Sequence, residues 1–120
     1  PSMLARFTQI DYDREMALIA VTVQDGKEVE LGVCRYAMNP DGDSCEFALV
    51  VGDAWQGRGV GSKLMAGLLG AARARRLKVM EGDVLASNTN MLKLMAILDF
   101  SVTSSEDDPT VKRVTKVLNA

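Results

Sequence analysis

The sequence predicts a mixed α/β (α+β) fold, a central sheet with flanking helices, on three observations. Apolar residues run strand-fashion through residues 16–51, punctuated by Asp-Gly turns. From Val60 the apolar spacing becomes helical and then alternates with further strand-like runs. The 120 residues are 48% apolar and 25% charged, the balance of one ordinary globular domain, so 1–120 is read as a single unit.

The elements follow in order. Met16–Val23 reads as a buried strand, and Gln24-Asp-Gly-Lys27 as a hairpin turn with Asp-Gly at its centre. Val29–Met38 is the returning strand. Asn39-Pro-Asp-Gly-Asp43 is a second turn, and Cys45–Val51 completes a meander. Leu64, Met65, Leu68, Leu69 and Ala72 recur at helical spacing and predict a helix over 60–75. Gly67 and Gly70 inside it each cost up to ~1 kcal/mol relative to Ala, which close packing on the sheet would explain. Lys78–Leu85 reads as a strand. Asn88 or Thr89 caps a second helix through Leu98, with Met91, Leu94, Met95 and Leu98 on one stripe. Phe100–Thr103 and Val111–Leu118 close the order β-β-β-α-β-α-β-β, separated by the polar turn 104–109.

Composition excludes several function classes. A net charge of −2 and a pI near 5.1 argue against nucleic-acid binding. No apolar run reaches the ~18–20 residues of a membrane helix, and residues 1–10 lack the pattern of a signal peptide. Cys34 and Cys45 read as buried free thiols of a cytoplasmic protein. With no His in the chain, Ser-His-Asp chemistry is excluded and no metal site is expected. The chain starts at Pro1 without an initiator Met, so an excised C-terminal module is expected.

The segment most telling of function is Val50–Met65, in which a strand, a short loop and glycine-spaced residues lead into a helix. Such a turn aims free backbone N–H groups, at the positive end of a helix dipole, at an anion. A P-loop requires glycine then Lys and a hydroxyl residue, but Lys63 follows Ser62 and precedes Leu64. A dinucleotide fingerprint requires a third glycine where Ser62 stands, and this loop follows a meander instead of opening a βαβ unit. The pattern Q/R-x-x-G-x-G/A is met in full by Gln56-Gly57-Arg58-Gly59-Val60-Gly61.

With that loop the chain resembles the GNAT superfamily of N-acetyltransferases over residues 15–118. The resemblance implies the acyl-CoA N-acyltransferase fold, here without that fold's first strand and the two helices after it. It also implies acetyl-CoA as cosubstrate. Its pyrophosphate would lie on the N–H groups of Gly57, Arg58, Gly59, Val60, Gly61 and Ser62, next to Gln56. Its pantetheine would pair with the backbone of Leu49, Val50 and Val51 like an added strand, in a splay between the Cys45–Val51 and Lys78–Leu85 strands. Asn88 aligns with an asparagine that reaches the cofactor, although a simple N-cap explains it as well. A narrower resemblance covers Arg6–Ala17, which is similar to the acetyltransferase module of bacterial (Pat-like) protein lysine acetyltransferases. A polar, solvated lead-in to the first strand is the alternative for residues 6–15.

Glu46 is the candidate catalytic residue. By the two-residue period it shares a face with Ala48 and Val50, and a carboxylate amid apolar neighbours loses hydration, which raises its pKa towards that of a general base. Matching superfamily members use a glutamate on this strand as the base; a partly exposed surface Glu is the bland alternative. Many members carry a Tyr, a few residues before a Gly-Phe pair, that protonates the leaving thiolate. Here Met95 holds that place and Asp99 replaces the Gly, leaving water, the ammonium just formed, or remotely Tyr12 and Tyr36. Arg73, Arg75, Arg76 and Lys78 read as a solvated cluster at a helix C-terminus, with a contact to the adenosine 3′-phosphate as the minor alternative.

The implied activity is transfer of acetyl from acetyl-CoA to a primary amine. The expected acceptor is the ε-amino group of a protein lysine, on a partner such as an acyl-CoA synthetase. A small-amine acetyltransferase, or a non-catalytic acyl-CoA-binding regulatory module, is the alternative. Neither nucleic acid nor membrane is an expected partner, and the sequence is silent on oligomeric state.

Overall fold

The computed structural model describes residues 6–119. Seven strands form one mixed sheet: β1 (Arg6–Asp11), β2 (Glu15–Gln24), β3 (Lys27–Met38), β4 (Ser44–Val51), β5 (Val79–Leu85), β6 (Ser101–Ser104) and β7 (Val111–Val117). Helix α1 (Val60–Ala74) and helix α2 (Thr89–Ile97) complete it, with a single 3-10 turn at Asp53–Trp55. The strand order is β1-β2-β3-β4-β5-β7-β6, antiparallel everywhere except between β4 and β5.

The meander forms as its turns dictate. Asp25 (φ 51°) and Gly26 (φ 76°) both take positive φ, the requirement of the tight hairpin turn that matches strand twist. A register shift between Ala20 and Val21 leaves Leu31 as an extra residue on β3, turned fully into the core. Residues 6–11, weighed above as a polar lead-in, are a strand paired to β2 from Arg6↔Val21 to Asp11↔Met16. Their exposed, mostly polar side chains hide the strand from a periodicity reading, because pairing to β2 supplies what burial does not. No helix lies between β1 and β2.

Helix α1 buries Val60, Leu64, Met65, Leu68, Leu69 and Ala72, which includes the whole expected stripe. They pack on Met16, Leu18, Ala20, Leu31 and Cys34 in one continuous core. A Cβ at Gly67 would lie 2.7 Å from Leu18, so close packing does account for that glycine. Gly70 faces open space, and nothing in the structure explains it. Helix α2 buries only Met95 completely; Met91, Leu94 and Leu98 are half-covered because α2 walls a cleft. Its chain exit is made by Asp99 in the left-handed region (φ 63°), a place where glycine is usual. Cys34 and Cys45 are buried free thiols, and burial pushes each up to about 12.

The feature that positions the site is a short ladder. β4 pairs with β3 along seven residues, from Gly32↔Val51 to Met38↔Cys45. With β5 it makes only three pairs, Ser44↔Val79, Cys45↔Met80 and Glu46↔Glu81. Beyond them the Phe47 ring lies over Gly82, where a Cβ would come within 2.7 Å of the ring and 3.0 Å of the Phe47 carbonyl. The same ring meets Phe100 at 5.4 Å between centroids, a favourable tilted contact.

Two substitutions test this packing by urea unfolding. Gly82→Ala forces the ring or the backbone to move and is expected to cost about 1–3 kcal/mol. Gly70→Ala removes helix-interior glycine without a clash and is expected to add about 0.5–1 kcal/mol. A Gly82→Ala midpoint equal to the parent's would mean the ring does not depend on the missing Cβ.

Candidate functional site

Because β5 leaves β4 after Glu46, the β5-facing backbone of Phe47–Val51 has no strand partner. The opening is a cleft of about 590 Å³. Leu49, Val50 and Val51 form one wall, and Asn88, Met91, Leu94 and Ile97 of the α2 region form the other. Gln56, Gly57, Gly61 and Ser62 close one end. Eight of the residues singled out from sequence for cofactor binding therefore come together: Leu49, Val50, Val51, Gln56, Gly57, Gly61, Ser62 and Asn88. A Cβ at Gly61 would press on Leu94 at 3.2 Å, so the glycine lets α1 approach α2 at the cleft floor.

The loop has the geometry of an anion cradle. Gly57 (φ 78°) and Gly59 (φ 82°) flank Arg58 in the left-handed region, and Gly59 is the N-cap of α1. No side chain caps that terminus and no acidic residue lies in its first turn. The N–H groups of Val60, Gly61 and Ser62 precede the first i→i−4 bonds of the helix, so they stay available at its positive end. The Gln56 amide braces the loop, donating to the Val51 carbonyl (3.3 Å) and to Asp53 Oδ1 (3.3 Å). The Arg58 guanidinium stacks over the Trp55 ring at 5.3 Å, and the Val60 side chain is buried beneath the loop.

Glu46 lines a different, smaller cleft of about 310 Å³, with Glu15, Arg35, Ala37, Phe47 and Ala48, on the sheet face that α1 leaves uncovered. The expected apolar setting is not what the fold provides. Ala48 and Val50 are apolar neighbours along the strand, but the adjacent strands bring Glu81, Asp83 and Arg113 alongside. Arg113 donates to both oxygens of Glu46, Nη1 to Oε2 at 3.1 Å and Nη2 to Oε1. With its side chain 42% exposed and ion-paired, Glu46 is neither desolvated nor isolated. Sequence gave no hint of this, because Arg113 lies 67 residues away.

The remaining candidates divide. The Asn88 side chain caps α2, accepting from the Met91 N–H at 3.1 Å, while its residue lines the cleft; both readings of it hold a place in the fold. Met95 is fully buried. Tyr12 lies in the β1–β2 turn, and the Tyr36 hydroxyl is buried with no partner at hydrogen-bond distance among the described residues, its pKa raised chiefly by desolvation; neither lines the cleft. Arg75 at the far end of α1 holds the β1–β2 turn, through Asp11 Oδ1 (3.5 Å) and the Tyr12 carbonyl (3.2 Å). Fifteen helical residues put this end about 21 Å from the loop, so the 3′-phosphate role falls away. Sequence reading missed Trp55, Asn90, Lys93 and Ile97, which the cleft adds. An apolar residue near the helix end but off the Met91/Leu94/Met95/Leu98 stripe, Ile97, was the available signal.

Comparison with known proteins agrees with this geometry. Residues 2–100 match the model of the Acetyltransferase (GNAT) family. An acetyltransferase of Pseudomonas aeruginosa is 34% identical over 110 residues, which are 92% of this chain and 59% of that protein. The chain thus spans about three fifths of the length of the curated relative it matches. The GNAT domain of S. lividans PAT superposes with a TM-score of 0.75 at 28% identity, covering 94% of this chain and 66% of that one. The Campylobacter jejuni N-acetyltransferase PseH, solved in complex with acetyl coenzyme A, has the same fold (TM-score 0.67, 23% identity, 90% and 71% covered).

The loop assignment is tested at Gly59. An added methyl group meets nothing within 4 Å, so its effect is conformational: ~1–2 kcal/mol against the left-handed backbone that aims the N–H groups. Gly59→Ala is expected to weaken coenzyme A binding about tenfold in calorimetry. Unchanged affinity in the folded variant would remove the loop from the anion site.

Proposed function

The chain belongs to the GNAT acetyltransferase family, and from that premise we propose that it transfers acetyl from acetyl-CoA to a primary amine by direct attack, the preferred acceptor being a protein lysine ε-amino group. The observation that carries the reading is the splay itself. Its head holds Glu46, the last residue of β4 paired to β5, and its other end is the glycine cradle. From Glu46 to Val51 the strand runs roughly 17 Å at ~3.3 Å per residue, room for an extended pantetheine arm with the thioester near Glu46.

In this mechanism the cradle N–H groups hold the pyrophosphate, and the unpaired backbone of β4 takes the pantetheine amides as a neighbouring strand would. The ammonium of the acceptor enters from the smaller cleft beside Glu46, Glu15 and Arg35. Glu46, directly or through a water, takes one proton. The amine nitrogen then bonds to the thioester carbonyl carbon, and backbone N–H groups of the splay stabilise the oxyanion. Collapse breaks the C–S bond, and the amide nitrogen's surplus proton passes through solvent to the thiolate. Holding the two reactants together supplies much of the rate, since a thioester is already activated.

The likeness to the GNAT domain of S. lividans PAT and the Arg6–Ala17 segment support the lysine acceptor; the two buried thiols suit the cytoplasm. One observation favours a second reading, a non-catalytic acyl-CoA sensor: position 95, where many members place an acidic tyrosine, is a fully buried Met.

Labelled acetyl-CoA offered with a panel of acyl-CoA synthetases and free amines, followed by mass-spectrometric mapping, separates these readings. Acetylated lysine is expected; acetyl-CoA binding with no thiol released on any amine favours the sensor. Glu46→Gln is expected to lower the rate per enzyme at neutral pH by about 10²–10⁴. A rate within about twofold of the parent would sink the base assignment.

A further inference from the structure

We propose that Arg113 is the positioning residue for Glu46, reaching from β7 across β5 to fix the carboxylate where β4 and β5 part. This rests on the reading of Glu46 as the base. The register makes the reach possible: Arg113 stands opposite Asp83 and Thr115 opposite Glu81, while Glu81 is the strand partner of Glu46. By the two-residue period these side chains lie on one face. Two carboxylates directly opposite on neighbouring strands repel, so Glu46 and Glu81 require a cation between them.

Arg113 is that cation. It engages both oxygens of Glu46, donates from Nη1 to Asp83 Oδ1 at 2.9 Å, and lies 3.2 Å from Glu81 Oε1. A planar fork that holds both oxygens fixes the direction of a carboxylate as a lysine point charge does not. The guanidinium stays protonated throughout, its pKa raised chiefly by the hydrogen bond to Glu46. On the far side Asn39 Nδ2 donates to Glu81 Oε1 (3.3 Å) and to Ser44 Oγ (2.8 Å), which ties the acidic pair to the β3–β4 turn.

The arrangement has two consequences for the reaction. Arg113 occupies one acceptor position on each oxygen of Glu46 and leaves the other open, so the acceptor's proton can pass to the oriented carboxylate directly or through a water. Three carboxylates against one guanidinium also leave the mouth of the splay net negative, which attracts an ammonium. The other charges facing Glu46 are Glu15 on β2 and Arg35 on β3, both lining the smaller cleft. Removing the guanidinium leaves Glu46 facing Glu81, Asp83 and Glu15 with only Arg35 opposed to them, which favours the protonated carboxyl.

The test is a carbon-13 titration of the Glu46 side chain in the full chain with acetyl-CoA bound. In Arg113→Gln the midpoint is expected to move up by about one pH unit or more, and in Arg113→Lys, which keeps the charge but not the fork, by a smaller amount. Acetyl-CoA affinity within twofold of the parent shows that the variant is folded, since Arg113 lies outside the cofactor cleft. A midpoint unmoved in folded Arg113→Gln, or in Arg113→Lys should Arg113→Gln fail to fold, overturns the proposal. Glu46→Gln turnover separates the two levels. A damaging Glu46→Gln beside an unmoved midpoint removes Arg113 alone, whereas a silent Glu46→Gln removes the base and, with it, the role of Arg113.

Discussion

The site depends on one failure of pairing: β4 and β5 run together for three residues and then part. A parallel ladder that continued would satisfy the β4 backbone internally and leave no groove. Parting leaves a row of backbone groups without a strand partner, and such groups are costly unless a side chain, water or a ligand strand meets them. Where the strands part, the Phe47 ring, backed by Phe100, lies over Gly82. In the proposed reaction the unpaired edge of β4 determines where an extended ligand lies.

The two ends of the opened strand carry opposite electrostatic character. At one end a helix terminus without a capping side chain or acidic first turn presents free N–H groups. At the other, Glu46, Glu81 and Asp83 gather around Arg113. In the proposed reaction an anionic cofactor and a cationic acceptor are thus drawn to opposite ends of the same strand. A net charge of −2 over the chain conceals this separation, which is a matter of placement and not of sum.

What was legible in the sequence was local. Tight turns, helix spacing and the glycine loop are set by residues a few positions apart, and strands β2–β7 and both helices fall within one or two residues of expectation. Seven of the eight cleft residues lie in one contiguous stretch, β4 and the loop it feeds, and were legible for the same reason; Asn88 lies 26 residues beyond Ser62 and was legible only through the family resemblance. Strand β1 was not, because its polar side chains carry no burial pattern. Nor was the environment of Glu46. Ala48 and Val50 suggested an apolar face, but a strand's chemistry is set equally by its lateral neighbours, and Glu81, Asp83 and Arg113 arrive only through the β4–β5–β7 register.

That correction alters the chemistry asked of Glu46. A desolvated carboxylate acts through isolation; a carboxylate held at both oxygens by a guanidinium is fixed in direction instead. In the proposed mechanism a fixed direction suffices, because the proton to be removed sits on an ammonium entering a net-negative mouth, and the electrophile is a thioester. Neither reactant demands a strong base; both demand a nitrogen held at the carbonyl carbon. The same reasoning accommodates Met95. A buried thioether donates no proton, but in the proposed mechanism the open splay admits solvent to the sulfur, so the leaving thiolate is protonated without a dedicated acid. In the proposed mechanism the burden of catalysis therefore falls on geometry, on the parted strands and the guanidinium that orients Glu46.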